Sequence, residues 1–281
     1  MAQLTSIGAL IDNAWDHYRK HFVTLIKINA WVLLVIALNI VALFFYPLNA
    51  QELTRSLTGL EISGIVLFVV SNLVVAVVVN IWIMNALIGA VHNQLENKRV
   101  QMNALTKRAW EQFGPMLLLI IELGLIYGAS LLLPFAVYWF LTSVAAAALP
   151  MGVLLALLFL GLLLFIPPFA LMVYLSFARF SLVSGGLRGM AAIKESAHLV
   201  RGRFWPVLWR LAIPKIIYFI VLALSQFLLL TIFSVLTIGS GQEQTALGLI
   251  ATPTTWYLLL IFINPLLIVT DQLIYRDLKR G

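Results

Sequence analysis

The chain has 281 residues, of which 62% are hydrophobic and only 10% charged, with a net charge of +7 and no cysteine. Soluble domains carry about 25% charged residues, so this composition excludes a water-soluble globular protein and makes lipid the solvent to reason with. The missing cysteine excludes disulfides, thiolate metal ligands and a cysteine nucleophile.

Taken in chain order, the first 25 residues place Ile7, Ile11, Ala14, Tyr18, Phe22 and Leu25 at helical spacing, with Asp12, Asp16, Arg19 and Lys20 opposite. This pattern predicts an amphipathic helix at the membrane interface, anchored by Trp15, Tyr18 and Phe22. The polar start and the long apolar run after it predict a retained anchor rather than a cleaved signal. His17 and His21 stand one turn apart, a spacing that suits a metal, but Asp16 points away from them, and both are read as interfacial histidines. No metal or other cofactor is expected.

An apolar stretch of about 20 residues crosses the hydrocarbon core as a helix, and the chain holds six: 23–46, 62–91, 114–134, 151–178, 206–236 and 247–274. The fold class expected is therefore all-α, a six-span transmembrane bundle in one integral membrane domain. Segment 135–149 extends the third apolar run, either as a long helix bent at Pro134 or as a short re-entrant piece. Pro167-Pro168 in the fourth span and Pro214 in the fifth are expected to bend their helices.

Basic residues beside spans are retained on the cytoplasmic side. Every Lys and Arg except Arg55 falls before or just inside the first span, between spans two and three, around the fourth-to-fifth connection, or at the end of the chain. Six spans with both termini cytoplasmic account for this alternation, and the net positive charge then reports topology, not nucleic-acid binding. A prokaryotic plasma membrane is the expected location.

The interfacial pattern recurs. Met102, Leu105, Ala109 and Phe113 precede the third span, with Trp110 beside them, and Met190, Ile193, Ala197, Val200 and Phe204 precede the fifth. The joints Phe113-Gly114-Pro115 and Phe204-Trp205-Pro206 also correspond, and proline is tolerated in a first helical turn. The spacing implies three copies of one unit, over residues 1–91, 92–178 and 179–281: an interfacial helix, a span out and a span back. Arg201, Arg203, Phe204 and Trp205 are the interface residues of the third copy. The partners expected are the lipid bilayer and its anionic headgroups, since each cation near the surface is attracted by about 1 kcal/mol.

Between Val173 and Ile213, Arg179, Ser181, Leu182, Ser196, Leu199, Val200, Gly202, Phe204 and Trp205 form a pattern that resembles a group of polytopic prokaryotic membrane proteins. The group includes the YciC-like inner-membrane proteins and the membrane domain fused to some glycerophosphodiester phosphodiesterases. The resemblance implies a six-span architecture and no particular activity; no segment here has the length or composition of the phosphodiesterase barrel.

A search for catalytic motifs finds no G-x-S-x-G, P-loop, H-E-x-x-H or paired carboxylates, so no enzyme is expected. His92 and His198 read as histidines without an acidic neighbour at ligand spacing. Ionisable groups inside spans are costly in hydrocarbon, which singles out Glu122, roughly 13 Å past the Phe113 joint at about 1.5 Å per residue, and Lys215 in the fifth span. With Lys27 and Asn264 they form the candidate intramembrane polar site, Glu122 pairing with Lys215 or Lys27, or standing as a protonated acid. Asn39, Asn72, Asn80 and Asn85 are expected to bond between helices. The function expected is a non-enzymatic membrane module that organises lipid or binds partners; the alternative is a carrier for a small or amphiphilic solute using Glu122 and Lys215.

Overall fold

A computed structural model describes residues 4–45, 56–143, 149–236 and 243–280, with side chains 233–236 and 243–254 outside that description. Among the described residues every regular element is helical. Six stretches are long and apolar enough to cross a membrane: Phe22–Phe45, Gly59–Leu95, Phe113–Ser143, Met151–Val183, Phe204–Ile232 and Thr255–Arg280. Each overlaps one of the six expected spans, the third running on past its expected end at 134. The third continues through Pro134 to Ser143, which selects the long helix over a re-entrant piece for 135–143; residues 144–148 and the connections at 46–55 and 237–242 lie outside the described residues.

The chain divides into two compact units, residues 4–113 with Arg210–Ile274, and Gly114–Trp209 with residues 275–280. In the first unit, α1 (Ile7–Lys20) starts at Ser6, whose hydroxyl accepts from the Ala9 N–H at 3.3 Å. It buries Leu10, Ala14 and Tyr18 and exposes Asp12, Asp16, Arg19 and Lys20. The first span is two helices, α2 (Phe22–Asn29) and α3 (Val32–Phe45), broken at Ala30 and Trp31. The second opens as α4 (Gly59–Val70) on a Thr58–Glu61 capping box, passes through a π-turn at Ser71–Val75 and continues as α5 (Ala76–Leu95).

Asn97, in the left-handed region at φ 55°, reverses the chain after α5; asparagine tolerates that conformation better than most side chains. Helix α6 (Met102–Glu111) then folds back along α5, where Asn85 Nδ2 donates to the Ala109 carbonyl at 3.1 Å and Leu105 lies over Gly89. Leu105 and Ala109 are buried by this packing, and Lys107 and Arg108 face outward.

The second unit begins with α7 (Phe113–Ser143) from Gly114 onward. The fourth span is three pieces: α8 (Met151–Leu163), α9 (Ile166–Leu175) and α10 (Ala178–Val183). Pro167 and Pro168 therefore do not bend a continuous helix as expected; they stand in the first turn of α9, where a missing N–H leaves no bond unmade.

Helix α11 (Met190–Val200) buries Ala192, Ile193, Ser196 and Val200, leaving Met190 exposed and Ala197 half-buried, so its inner face is centred on Ser196. That hydroxyl bridges the gap between α9 and α10, donating to the Tyr174 carbonyl at 2.7 Å and accepting from the Phe177 N–H at 3.0 Å. Two backbone groups released by the break are thus satisfied without water. Gly202 at φ 77° turns the chain out of α11 into α12 (Phe204–Leu236), a conformation that glycine adopts without a Cβ penalty.

Candidate functional site

In the first unit, α12 and α13 (Glu243–Arg280) face each other through polar rungs. Lys215 Nζ lies 3.1 Å from Asp271 Oδ2, Tyr218 Oη lies 3.3 Å from Thr270 Oγ1, and Gln226 Nε2 donates to Thr255 Oγ1 at 2.8 Å. The expected partner of Lys215 was Glu122 or none; the structure assigns it Asp271. The signal was present in the sequence, because Asp271 is an acid within the sixth apolar run. Lys27 is exposed.

Asn264 belongs to a different cluster, donating to Asn29 Oδ1 at 3.0 Å. Asn29 in turn donates to the carbonyls of Leu260 and Ile261 at 3.2 and 2.9 Å. Pro265 has no N–H to give to Ile261, four residues back, so the buried Asn29 amide supplies the bond that the proline removes. Asn39 and Asn72, each expected to bond between helices, find each other as partners at 3.0 and 3.5 Å. Asn80 instead donates within its own helix, to the Ala76 carbonyl at 2.8 Å.

In the second unit, Glu122 meets the start of α11. A Cβ placed on Gly189 would lie 3.2 and 3.5 Å from the two carboxylate oxygens, and Gly189, at φ 50°, is the residue that caps α11. A carboxylate is stabilised near a helix N-terminus, where unpaired N–H groups concentrate positive potential. Glu122 therefore has a structural neighbour that its sequence position did not disclose, and its Oε2 is buried without a hydrogen-bond partner.

The interface residues divide in the same way. Trp15, Trp110 and Trp205 are more than half exposed. Tyr18 is not: it is buried, and its hydroxyl donates to the Phe262 carbonyl at 2.9 Å, with the Phe22 ring edge-on at 5.3 Å. Burial pushes its phenol up to about 12. Phe113 lies against Trp110 at 5.6 Å, and Phe204 lies between Tyr174 and Trp205 at 5.6 and 5.4 Å. Arg201 is exposed and Arg203 half-buried.

His17 bonds Gln94 Oε1 at 2.9 Å through Nε2. Burial, opposed by that bond and reinforced by His21 and Lys20, holds its pKa below the usual 6.5. His92 has an acidic neighbour after all, Glu96, at 3.3 Å one turn on. Because the folded pKa of His17 is depressed, its stabilising contribution is complete above pH 6.5 and is lost as pH falls through the folded value. Thermal stability should drop between pH 7.5 and 5, and His17→Gln should flatten that drop; equal slopes in both proteins would show that His17 is not the group responsible.

Two cavities flank α6. One, of about 390 Å³, is lined by Asn93, Arg99, Lys107, Arg108 and Glu111 among others. The other is an apolar groove of about 600 Å³ between α6 and the first two spans, lined by Trp31, Leu34, the valines 74, 75, 78 and 79, Trp82, Met102, Thr106 and Trp110. The break at Trp31 and the π-turn supply its walls. Neither cavity is lined by Glu122, Lys215, Asp271 or Asn264. Among the described residues, no group of three or more His, Cys, Asp or Glu side chains is placed to hold a metal ion.

Six apolar helices with intramembrane polar contacts define a multi-pass α-helical membrane protein. Compared with protein-family models, curated proteins and solved structures, the chain matches none of them.

Proposed function

We propose that this chain is a non-enzymatic membrane module of a prokaryotic plasma membrane, with both termini cytoplasmic, that gathers anionic lipid or protein partners around basic interfacial helices. One observation carries this reading: α1, α6 and α11 each bury an apolar face and leave cations outside, Arg19 and Lys20, Lys107 and Arg108, and Lys194. The charge alternation of the sequence supports one common side for all three helices. The resemblance to the YciC-like group and the threefold pattern of helix, span and span fit the same architecture. The carrier reading has less support, because Lys215 is held by Asp271 and neither described cavity is lined by that pair.

The side assignment is testable in this cysteine-free chain. Single cysteines at Lys98 and Gly186 should be labelled from one side and a cysteine at Pro150 from the other; labelling of Gly186 and Pro150 from the same side overturns the topology.

The lipid reading is tested with spin-labelled lipids in reconstituted membranes. Phosphatidylglycerol should be preferred to phosphatidylcholine beside the protein. The preference should shrink with salt and fall several-fold when Lys107, Arg108, Arg19, Lys20 and Lys194 are changed to Gln. An absent preference in the unaltered protein rejects this function.

A further inference from the structure

We infer that the groove between α6 and the first two spans is a binding site for one anionic glycerophospholipid, with an acyl chain along the valines and the phosphate at Lys107 and Arg108. This rests on the lipid-organising reading above and goes beyond it, from a general enrichment to one stoichiometric ligand.

The walls make the groove a membrane site. Trp31 and Leu34 come from the first span and Val74, Val75, Val78, Val79 and Trp82 from the second, so the space opens among acyl chains, and exposed Trp31, Leu34 and Val74 line it. Its volume of about 600 Å³ falls in the range of about 300–1,000 Å³ typical of ligand pockets. The lining is apolar apart from Thr106 and the indole N–H groups.

One of those N–H groups asks for a partner. Trp82 is 7% exposed, and its Nε1 is buried without a hydrogen-bond acceptor, although its ring makes a T-shaped contact with Trp31 at 5.7 Å. A buried donor left unpaired is unfavourable, because it has given up its bonds to water and gained none in return. An ester carbonyl of a bound lipid is an acceptor that can enter an otherwise apolar groove.

The order of groups along α5 matches the order of groups in such a lipid. Asn85 meets Ala109, next to Arg108, which fixes the level of the cations on that helix. Trp82 lies three residues further toward the π-turn, about 4.5 Å at 1.5 Å per residue. Val79, Val78, Val75 and Val74 follow, the last about 12 Å beyond Trp82. In depth along the helices, cation, N–H donor and apolar wall thus succeed each other as phosphate, ester and chain do, with the cations and Glu111 on the other side of α6 from the groove. Helix α6 joins the two environments: Met102, Thr106 and Trp110 line the groove, and Lys107 and Arg108 line the basic cavity behind.

Native mass spectrometry of the protein released from membranes containing phosphatidylglycerol and phosphatidylcholine tests the site. The expected result is one retained phosphatidylglycerol per chain, at a charge state and detergent concentration that strip the surrounding lipids. Val78→Trp, which fills the groove, should lower retention about tenfold, and Trp82→Phe, which keeps the ring and removes the N–H, should lower it several-fold. Lys107→Gln with Arg108→Gln should leave a lipid bound but abolish the headgroup preference.

Should Val78→Trp fail to fold, the unaltered protein still decides the matter, because short-chain phosphatidylglycerol must be retained less than the long-chain form. Equal retention of long- and short-chain lipids, equal retention of phosphatidylcholine, or a lipid-free dimer seating a second copy in the groove would each overturn the proposal. Loss of the surrounding enrichment with the single lipid still retained would reject the general reading and leave this site standing; the converse would reject the site alone.

Discussion

Lys215→Met should destabilise the protein, by less than the roughly 3–5 kcal/mol lost when one partner of a fully buried ion pair is removed, because the lysine side chain is 41% exposed. Asp271 has a side chain only 12% exposed, and its Oδ2 takes its charge partner from Lys215 at 3.1 Å, while Oδ1 is buried without a hydrogen bond. Removing the ammonium leaves a carboxylate in hydrocarbon, where it must either bind a proton or draw in water. The lysine is 41% exposed and can turn its chain toward the interface, so Asp271→Asn should be the milder single change. The double change Lys215→Met with Asp271→Leu should recover most of the loss, because two apolar side chains of similar volume owe nothing to solvation. Reversible unfolding in detergent measures all three. If the double variant is no more stable than Lys215→Met, the pair is not an independent electrostatic unit.

Asn29→Leu should lower stability by about 2–5 kcal/mol, since it strands the Ile261 carbonyl and the Asn264 amide, each worth about 1–3 kcal/mol when left unpaired in a buried place. The origin of that loss can be checked directly. Pro265→Ala returns an N–H to the helix at the residue that should bond Ile261, so the carbonyl no longer depends on Asn29. In a Pro265→Ala background the Asn29→Leu change should therefore be smaller by about 1 kcal/mol or more, a coupling that a double-mutant cycle reads. Additive effects would show that Asn29 acts through packing alone.

The six spans were legible because hydrophobic length is a local property, and hydrocarbon thickness sets it for any sequence. The buried faces of α1 and α6 were legible for the same reason: Ala14, Leu105 and Ala109 recur at the helical period and are buried. Pairings were not legible. Glu122 could not be placed beside Gly189 from spacing, because the two are brought together by a turn after α10 and not by any period within one helix. Lys215 was recognised as an intramembrane charge and its partner overlooked, since Asp271 lies close to where the sixth apolar run was taken to end. Tyr18 shows the limit from the other side. A tyrosine near an interface satisfies the composition of an anchor, yet its hydroxyl finds the Phe262 carbonyl, a choice made by tertiary packing.

Irregular backbone was the least visible. Nothing in "SNLVV" departs from an ordinary apolar helix, and the π-turn at Ser71–Val75 is decided by what the segment packs against. Pro167 and Pro168 advertised a disturbance, but not whether it would be a bend or a fresh helix start.

The π-turn also bears on how this chain tolerates changes in length. A wide turn absorbs one surplus residue locally, so α4 and α5 keep their rotational phase on either side of it. Removing one residue from 71–75 should therefore leave an ordinary α-helix whose flanks still face their neighbours, whereas removing one from the middle of α5 would turn Trp82 and the valines about 100° away from them. The second span thus holds one position at which a deletion is geometrically silent for the bundle and is felt mainly by the wall of the groove.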